Sequence, residues 1–466
     1  MIKTYENIKI FQGDQIGGCV TVISSTVNGK THRIMIDYGS SLEGSGTVKD
    51  FDYPWDKEPI DAVFFTHYHG DHVGRIGEIP KSVKTLYMGE TARKVMINIQ
   101  RALTRTKDGD AARAELELLN DDGRIRTFKK ARCIYKHITD IPGFKIEPYS
   151  VDHSAYDAYM FLIEVEDDSV PGGKTIILHT GDFRGHGRRG KAMLPVINYY
   201  IRRYGNKEGT GKPKRDVDVL ITEGTMISRS DEPVLTEFEL QLEATKYLHE
   251  HKYAFLICSS TNLDSLASFY QAAQDASVPY GRYLYTYNNY FKTQLDTFTK
   301  TAGKYTDLYK FENVYELELE RELKRPEWTK KKTQKELMEY TGFLAVIKPA
   351  EWCEKFVDPF IEDYKNGHIN EMPVIIYSMW DGYIDKTKGA RKDEWIKFIE
   401  RQEAKGVEIK HLHTSGHASV QMLTDVIKAV NPTRAVIPMH TEDAEGFKYL
   451  DMDEGLKDKV FIERSC

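Results

Sequence analysis

The stretch from Ala62 to His72 constrains this chain more than any other. It opens with the apolar, β-rich run Ala62-Val63-Phe64-Phe65 and continues Thr66-His67-Tyr68-His69-Gly70-Asp71-His72. The opening run reads as a short buried strand. The sequence after it has the form H-x-H-x-D-H, four metal-competent side chains within six residues. Neutral imidazole is the commonest metal ligand, and a carboxylate adds a hard oxygen donor. His67 and His69 alternate along an extended segment and face one way, whereas Asp71 and His72 turn toward a neighbouring point. One tetrahedral ion cannot use all four from so tight a loop. The spacing therefore suggests two metals side by side.

The rest of the chain supplies further strand ends. Cys19–Ile23 and Arg33–Asp37 read as two strands joined by an Asn28-Gly29 turn. Gly17-Gly18 reads as a tight turn, and Asp37 either as a partner for a ligand histidine or as a plain strand-end residue. A helical rhythm runs through Val95, Met96, Ile99, Leu103, Leu116 and Leu119. His153 follows a short extended run. Thr175–Leu178 reads as a strand before His179-Thr180-Gly181-Asp182, and Val217–Thr222 as another before Glu223-Gly224-Thr225. A final strand, Arg434–Met439, ends at His440. Three histidines, His67, His69 and His153, can hold one zinc. Asp71, His72 and His440 can hold a second, and Asp182 can bridge them with its two oxygens.

Between residue 229 and about 395, helical and strand patterns alternate, which predicts a separate parallel α/β unit. At 466 residues the chain has room for two or three domains. Its net charge of −6 argues against nucleic-acid binding by bulk charge, so any such role must rest on local patches. One patch is evident. Residues 184–215 carry ten Lys/Arg against the single acid Glu208, with Tyr199, Tyr200 and Tyr204 among them. Basic and aromatic side chains together suit phosphate contact and base stacking, with Arg188 and Arg189 as candidate contacts; the other reading of the run is a mobile, solvated loop. The five cysteines are scattered and never form C-x-x-C, which fits a reducing cytoplasm. No signal peptide and no 18-residue apolar run is visible, so no membrane contact is expected.

With these residues in view, the chain resembles the metallo-β-lactamase superfamily, through the 67–72 loop, His153, Thr180-Gly181-Asp182 and His440. Within it the chain is similar to the β-CASP ribonucleases of the RNase J type. Glu223 in Thr222-Glu223-Gly224-Thr225 fits the acidic motif A, although Gly224 stands where that family usually has Ser. His417 in Ser415-Gly416-His417-Ala418-Ser419 fits motif B, and His440 in Pro438-Met439-His440 fits motif C. The resemblance implies an α/β fold, a four-layer αβ/βα metallo-β-lactamase sandwich with an inserted α/β β-CASP domain. Residues 1–228 and 396–466 would form the sandwich, and 229–395 the insertion. The chain ends soon after motif C, without the additional C-terminal domain of RNase J. That argues against tight tetramers and leaves room for a homodimer.

The resemblance also implies two divalent ions, Zn2+ or Mn2+, and RNA as substrate. A hydroxide activated between the metals would hydrolyse the phosphodiester and leave a 5′-phosphate and a 3′-hydroxyl. Asp71 and Asp182 would act through the metals. His417 would bind the scissile phosphate or protonate the leaving oxygen, and Glu223 would orient His417 or a ligand. Ser415, Gly416 and Ser419 would hold phosphate. Endonucleolytic and 5′-exonucleolytic action both fit. The rivals are a small-molecule metallohydrolase, which gives no use to Glu223, His417 or the insertion, a DNA-directed β-CASP nuclease, and a nucleic-acid-binding subunit with a dead site.

Overall fold

The computed structural model describes residues 2–42, 50–106, 109–131, 134–166, 168, 172–203, 215–230, 234–276, 283–323 and 331–463. The chain divides into two compact units, 1–234 with 416–466, and 235–415.

The first unit is built on two sheets. One has seven strands in sequence order: β1 (Ile2–Tyr5), β2 (Ile8–Phe11), β3 (Val20–Val27), β4 (Lys30–Ile36), β5 (Ala62–Phe64), β6 (Thr85–Met88) and β7 (Ile125–Thr127). The first four form an antiparallel meander, and β4 to β7 run parallel. The β3–β4 turn is the Asn28-Gly29 pair, with φ of 53° and 70°. Positive φ at both positions is what a type I′ hairpin needs, and Asn and Gly tolerate it best. The apolar rhythm at 95–119 becomes two helices, α1 (Glu90–Leu103) and α2 (Gly109–Asn120).

The other sheet holds β8 (Phe144–Val151), β9 (Ala158–Glu166), β10 (Lys174–His179), β11 (Val219–Glu223) and a final strand Ala435–Met439. The alternation along each strand explains the layering. Ile34, Ile36, Phe64, Phe161, Ile163, Ile221 and Ile437 point into one shared core between the two sheets. Their neighbours Met160, Leu162, Leu220 and Val436 point the other way, onto Leu423, Val426 and Ile427 of the helix Val420–Val430. Each such side chain contributes about 1.5–3 kcal/mol on full burial, so period-2 patterning commits both faces of the sheet to cover.

This topology gathers the chemistry. β8 and β10 are both antiparallel to β9, and β10, β11 and the final strand are mutually parallel. Four C-terminal ends therefore lie at one edge of the second sheet. They lead into His153, Asp182, Glu223 and His440.

The second unit is a six-stranded, all-parallel sheet. Its strands are β12 (Tyr253–Cys258), β13 (Tyr283–Thr286), β14 (Val314–Glu316), β15 (Phe343–Ile347), β16 (Val374–Ser378) and β17 (Ile409–His411), in the order β14-β13-β15-β12-β16-β17. The central strands β12, β15 and β16 are buried on both faces and read as near-continuous apolar runs, as parallel strands do. The unit extends to Ser415, not to 395 as the sequence suggests. The helix Asp393–Ala404 and β17 complete this sheet, because Ile375 to Tyr377 pair in register with Ile409 to His411. Its start, at Leu235, also lies a few residues beyond 229. Among the described residues no helix is long and apolar enough to cross a membrane.

Candidate metal centre

The strand β5 ends at Phe64, and the chain leaves it extended. His69 keeps extended backbone (φ −69°, ψ 146°) before the one-turn helix Gly70–Val73. His67 and His69 consequently face the same way. His67 Nε2 lies 3.1 Å from His69 Nδ1, and His153 Nε2 lies 3.2 Å from that same Nδ1. His67 and His153 are buried. Three nitrogens thus converge on one point that could hold a metal ion.

The helical turn swings Asp71 and His72 to a second point. His72 Nε2 is 3.1 Å from Asp182 Oδ2, and His440 Nε2 is 3.3 Å from Asp71 Oδ2 and 3.8 Å from Asp182 Oδ2. Asp71, His72 and His440 form one candidate ligand group, and His67, His72 and Asp182 another. Asp182 therefore touches both neighbourhoods. His440 has φ of 48°, the left-handed region. A non-glycine residue there is uncommon and concentrates at functional sites. Gly39 leaves room for the loop, because a Cβ on it would sit 1.8 Å from the carbonyl oxygen of Asp71.

A ring of partners fixes the proton on each imidazole. Asp37 accepts the N–H and the hydroxyl of Thr66, both at 2.7 Å, and lies 2.8 Å from His72 Nδ1. The Thr66 hydroxyl, donating to Asp37, is 3.0 Å from His67 Nδ1. Thr225 Oγ1 donates to the His440 carbonyl and stands 2.9 Å from His440 Nδ1. All three Nδ1 atoms are thereby turned outward, and all three Nε2 atoms face the cluster. Outward partners of this kind set tautomer and ring orientation. His179, buried at the end of β10, accepts the N–H of Gly181 at Nδ1 (3.1 Å) and meets Thr21 Oγ1 through Nε2 (3.2 Å). It steadies the turn before Asp182, where Gly181 has φ of 56°. Of these supports the sequence singled out Asp37 alone. A hydroxyl flanking a histidine motif is too common to mark Thr66 or Thr225.

Electrostatics make the two points different. Burial pushes His67 and His153 well below their ordinary values, and neighbouring imidazoles add to it. Burial brings His69 down to about 4. His72 goes the other way: burial opposes its charge, but Asp182, Asp71 and Asp37 together raise it well above its ordinary value. Burial would likewise raise Asp182, yet His440 and His72 hold it well below the carboxylate range. The cluster suits a divalent cation. Neutral His67 and His153 both present Nε2 to one Nδ1, more lone pairs than protons to share. Asp182 Oδ1 is buried with no hydrogen-bond partner among the described residues. A cation at the second point would have to displace the Gly17 N–H, which donates to His440 Nε2 at 3.0 Å.

His417 sits beside this cluster. Its Nδ1 is 3.1 Å from Glu223 Oε2 and 3.6 Å from Asp182 Oδ2, and its side chain is 23% exposed. Burial disfavours its charge, but Glu223 and the two aspartates raise its pKa. Glu223 is itself anchored by the Phe183 N–H at 3.0 Å and the Ala418 N–H at 3.4 Å. Gly416 packs on Ser154, where a Cβ would come within 2.7 Å of its hydroxyl.

Other expected contacts are placed differently. Ser419 Oγ accepts the Met422 N–H as the N-cap of the helix Val420–Val430, so a helix end already occupies it. Ser415 is the last residue of the second unit. Arg189 donates to the carbonyl oxygens of Tyr156 and His153 and lies 4.6 Å over the Tyr156 ring. It braces the His153 loop, together with the buried Arg184–Asp152 pair. Arg202 faces Asp216, and Arg215 is paired with buried Glu147. The local excess of positive charge is therefore partly neutralised within the fold. Residues 204–214 of that segment, with Tyr204 and Lys207, lie outside the described residues.

Comparison with known proteins agrees with this geometry. Residues 18–108 match the metallo-β-lactamase superfamily, and residues 406–459 match the Zn-dependent metallo-hydrolase RNA specificity domain. The chain has the metallo-β-lactamase fold with a C-terminal RNA-specificity domain. It is similar to a solved structure from Enterococcus faecalis V583, described as a protein of unknown function, at 17% identity and a TM-score of 0.65, over 98% of this chain and 97% of that one. Likeness to metallo-β-lactamases is weaker and partial. The enzyme of Bradyrhizobium japonicum is 17% identical at a TM-score of 0.24, over 47% of this chain and 75% of its own. That of Novosphingobium pentaromativorans is 14% identical at 0.27, over 47% and 74%. No curated protein matches the chain in sequence. Nothing in these comparisons supports a homodimer.

Proposed function

We propose that this chain is a ribonuclease that uses two divalent cations, zinc or manganese, to hydrolyse RNA phosphodiester bonds, leaving a 5′-phosphate and a 3′-hydroxyl. The observation that carries this reading is His417, half-buried beside two ligand groups and oriented by Glu223. A small-molecule hydrolase has no need of such a residue. The match of residues 406–459 to an RNA specificity domain, which includes His417, supports the same reading.

His67, His69 and His153 would hold one cation, Asp71, His72 and His440 the other, with Asp182 between. A cation pair lowers the pKa of a water toward neutrality and offsets charge that develops on a phosphate. The protein supplies the rest. With its Nδ1 proton directed at Glu223, His417 presents Nε2 outward. Protonated, it donates from Nε2 to the departing O3′ as the P–O3′ bond breaks. The Glu223 carboxylate keeps the ring in that orientation and favours its cationic form.

The test is digestion of end-labelled RNA carrying a 5′-monophosphate or 5′-triphosphate, beside single-stranded DNA and a chromogenic β-lactam, with metal content measured on the same sample. RNA cleavage with close to two equivalents of metal is the expected result, and His69→Ala should lose at least one equivalent together with activity. Hydrolysis of the β-lactam or of DNA with RNA left intact would overturn the reading.

A further inference from the structure

The second unit carries an aromatic and basic patch that the metal centre does not use. Trp352 lies just beyond the C-terminal end of β15, and the residue is 47% exposed. Tyr287 follows the C-terminal end of the adjacent strand β13 and meets Trp352 edge to face, with ring centroids 5.8 Å apart at 65°. Phe356 props the indole from another side at 6.3 Å and 78°. Two rings thus pack edge to face against Trp352. The Lys355 ammonium is 5.7 Å from the centre of the indole and 4.8 Å from that of Phe356. Lys348, the first residue after β15, is also exposed. Lys348 and Lys355 flank Trp352 in the chain, four residues before it and three after it. Of the neighbouring carboxylates, Glu354 is turned away to Arg401 and Lys405, at 2.6 and 2.7 Å, while Glu351, beside Trp352, is exposed.

Topology gives this location meaning. After β13 the chain continues to β14 at the sheet's outer edge. After β15 it crosses to β16, on the far side of β12. Adjacent parallel strands whose connections leave in opposite directions open a crevice beyond their C-terminal ends, where open α/β sheets bind ligands. Tyr287 and Trp352 stand at that switch point.

We infer that Trp352, Lys348 and Lys355 form a nucleotide subsite of the second unit, in which a base of single-stranded RNA stacks on Trp352 and the flanking phosphates meet the two lysines. The inference rests on the ribonuclease reading for its ligand, and on this patch for its place. Stacking on an aromatic side chain tolerates any base, and lysines add a sequence-independent, salt-sensitive attraction. The subsite would grip the strand without selecting its sequence.

The test uses the full chain with its metals and a fluorescein-labelled phosphorothioate 12-mer of oligouridylate, followed by anisotropy across a potassium chloride series. Trp352→Ala should weaken binding about 5- to 150-fold, and Trp352→Phe should recover most of it. Lys348→Ala with Lys355→Ala should flatten the slope of log K against log salt by about 1.4, at 0.7 per phosphate contact. Hydrolysis of bis-p-nitrophenyl phosphate, which needs only the metal centre, should stay unchanged in all three. Circular dichroism checks the fold, and if Trp352→Ala unfolds, the double lysine variant at exposed positions decides. Wild-type affinity and slope in the variants would overturn the subsite while leaving the ribonuclease reading intact. Displacement of the strand by micromolar uridine monophosphate would mark a free-nucleotide pocket and overturn it too. A wild type that neither binds nor cleaves RNA would remove both.

Discussion

His417 Nδ1 and Glu223 Oε2 lie 3.1 Å apart, although the two residues are separated by 194 positions. The carboxylate that holds the ring is fixed by backbone N–H groups of Phe183 and Ala418, so the imidazole has one orientation available. Neither residue is needed to complete the two ligand groups formed by His67, His69 and His153 and by Asp71, His72 and His440. Removing His417 should therefore separate chemistry from metal binding. His417→Ala is expected to keep its metals and its melting temperature while RNA cleavage falls by about 10²–10⁴-fold, the usual contribution of a positioned general acid. Metal analysis and single-turnover cleavage on one preparation check this. Full activity with intact metal would take His417 out of the mechanism.

Asp37 offers the converse experiment. Its φ of 60° is one that Asn also tolerates, so Asp37→Asn should fold normally. Asn can still accept the Thr66 N–H, but it no longer presents a carboxylate to His72 Nδ1. Loss of an outward partner typically costs 10–100-fold in metal affinity or activity. The variant should release metal to a chelator at correspondingly lower concentration, read by competition with a zinc-sensitive dye. Unchanged affinity would make Asp37 a plain strand-end residue.

Arg189 separates a structural cation from an RNA contact. Its guanidinium bonds two main-chain carbonyls of the loop that carries His153. Hydrogen bonds to a charged group are worth about 1.5–3 kcal/mol each, less in partly exposed settings. Arg189→Ala should lower the melting temperature by several degrees and leave the salt slope of RNA binding where it was. A flattened slope with an unchanged melting temperature would return Arg189 to the nucleic-acid surface.

Glu115 sets a pH dependence far from the metals. Burial, reinforced by Glu78, raises its carboxyl from the ordinary 4.5 to about 7, and Gln100 Nε2 donates to it at 2.6 Å. The folded state thus holds a proton that the unfolded state releases. The resulting stability is fully present below about 4.5 and is lost as pH rises to about 7. Glu115→Gln stays uncharged throughout. It should match the wild type in melting at pH 5 and exceed it at pH 8 by on the order of 1 kcal/mol after screening. Equal stability at both values would show that the carboxylate is already well solvated.

Much of this architecture is legible in local pattern. The alternate entry of side chains of β8 to β11 into two cores and the near-continuous apolar runs in β12, β15 and β16 follow from side-chain period and from the number of covered faces. The Asn28-Gly29 hairpin follows from the φ those residues accept. The closing boundary of the second unit was less legible, because whether β17 joins one sheet or the other depends on a pairing with β16, not on its own composition. The basic run at 184–215 misleads for a related reason. Composition counts charges, whereas Arg189, Arg202 and Arg215 are turned toward carbonyls and carboxylates of the fold.

By itself the sequence determined which atoms are on hand for the chemistry. It sets His67 and His69 at the spacing that makes them face one way, follows them with Asp71 and His72, and ends strands at His153, Asp182 and His440. Those are local consequences of backbone geometry, so they can be read residue by residue. Only the tertiary structure decided where the protons sit and which ring points where. Asp37 reaches His72 across 35 positions, and Thr225 reaches His440 across 215. Such contacts exist because parallel strand ends meet at one sheet edge. No pattern along the chain encodes that meeting, because it is the burial of two sheet faces against each other that brings the ends together.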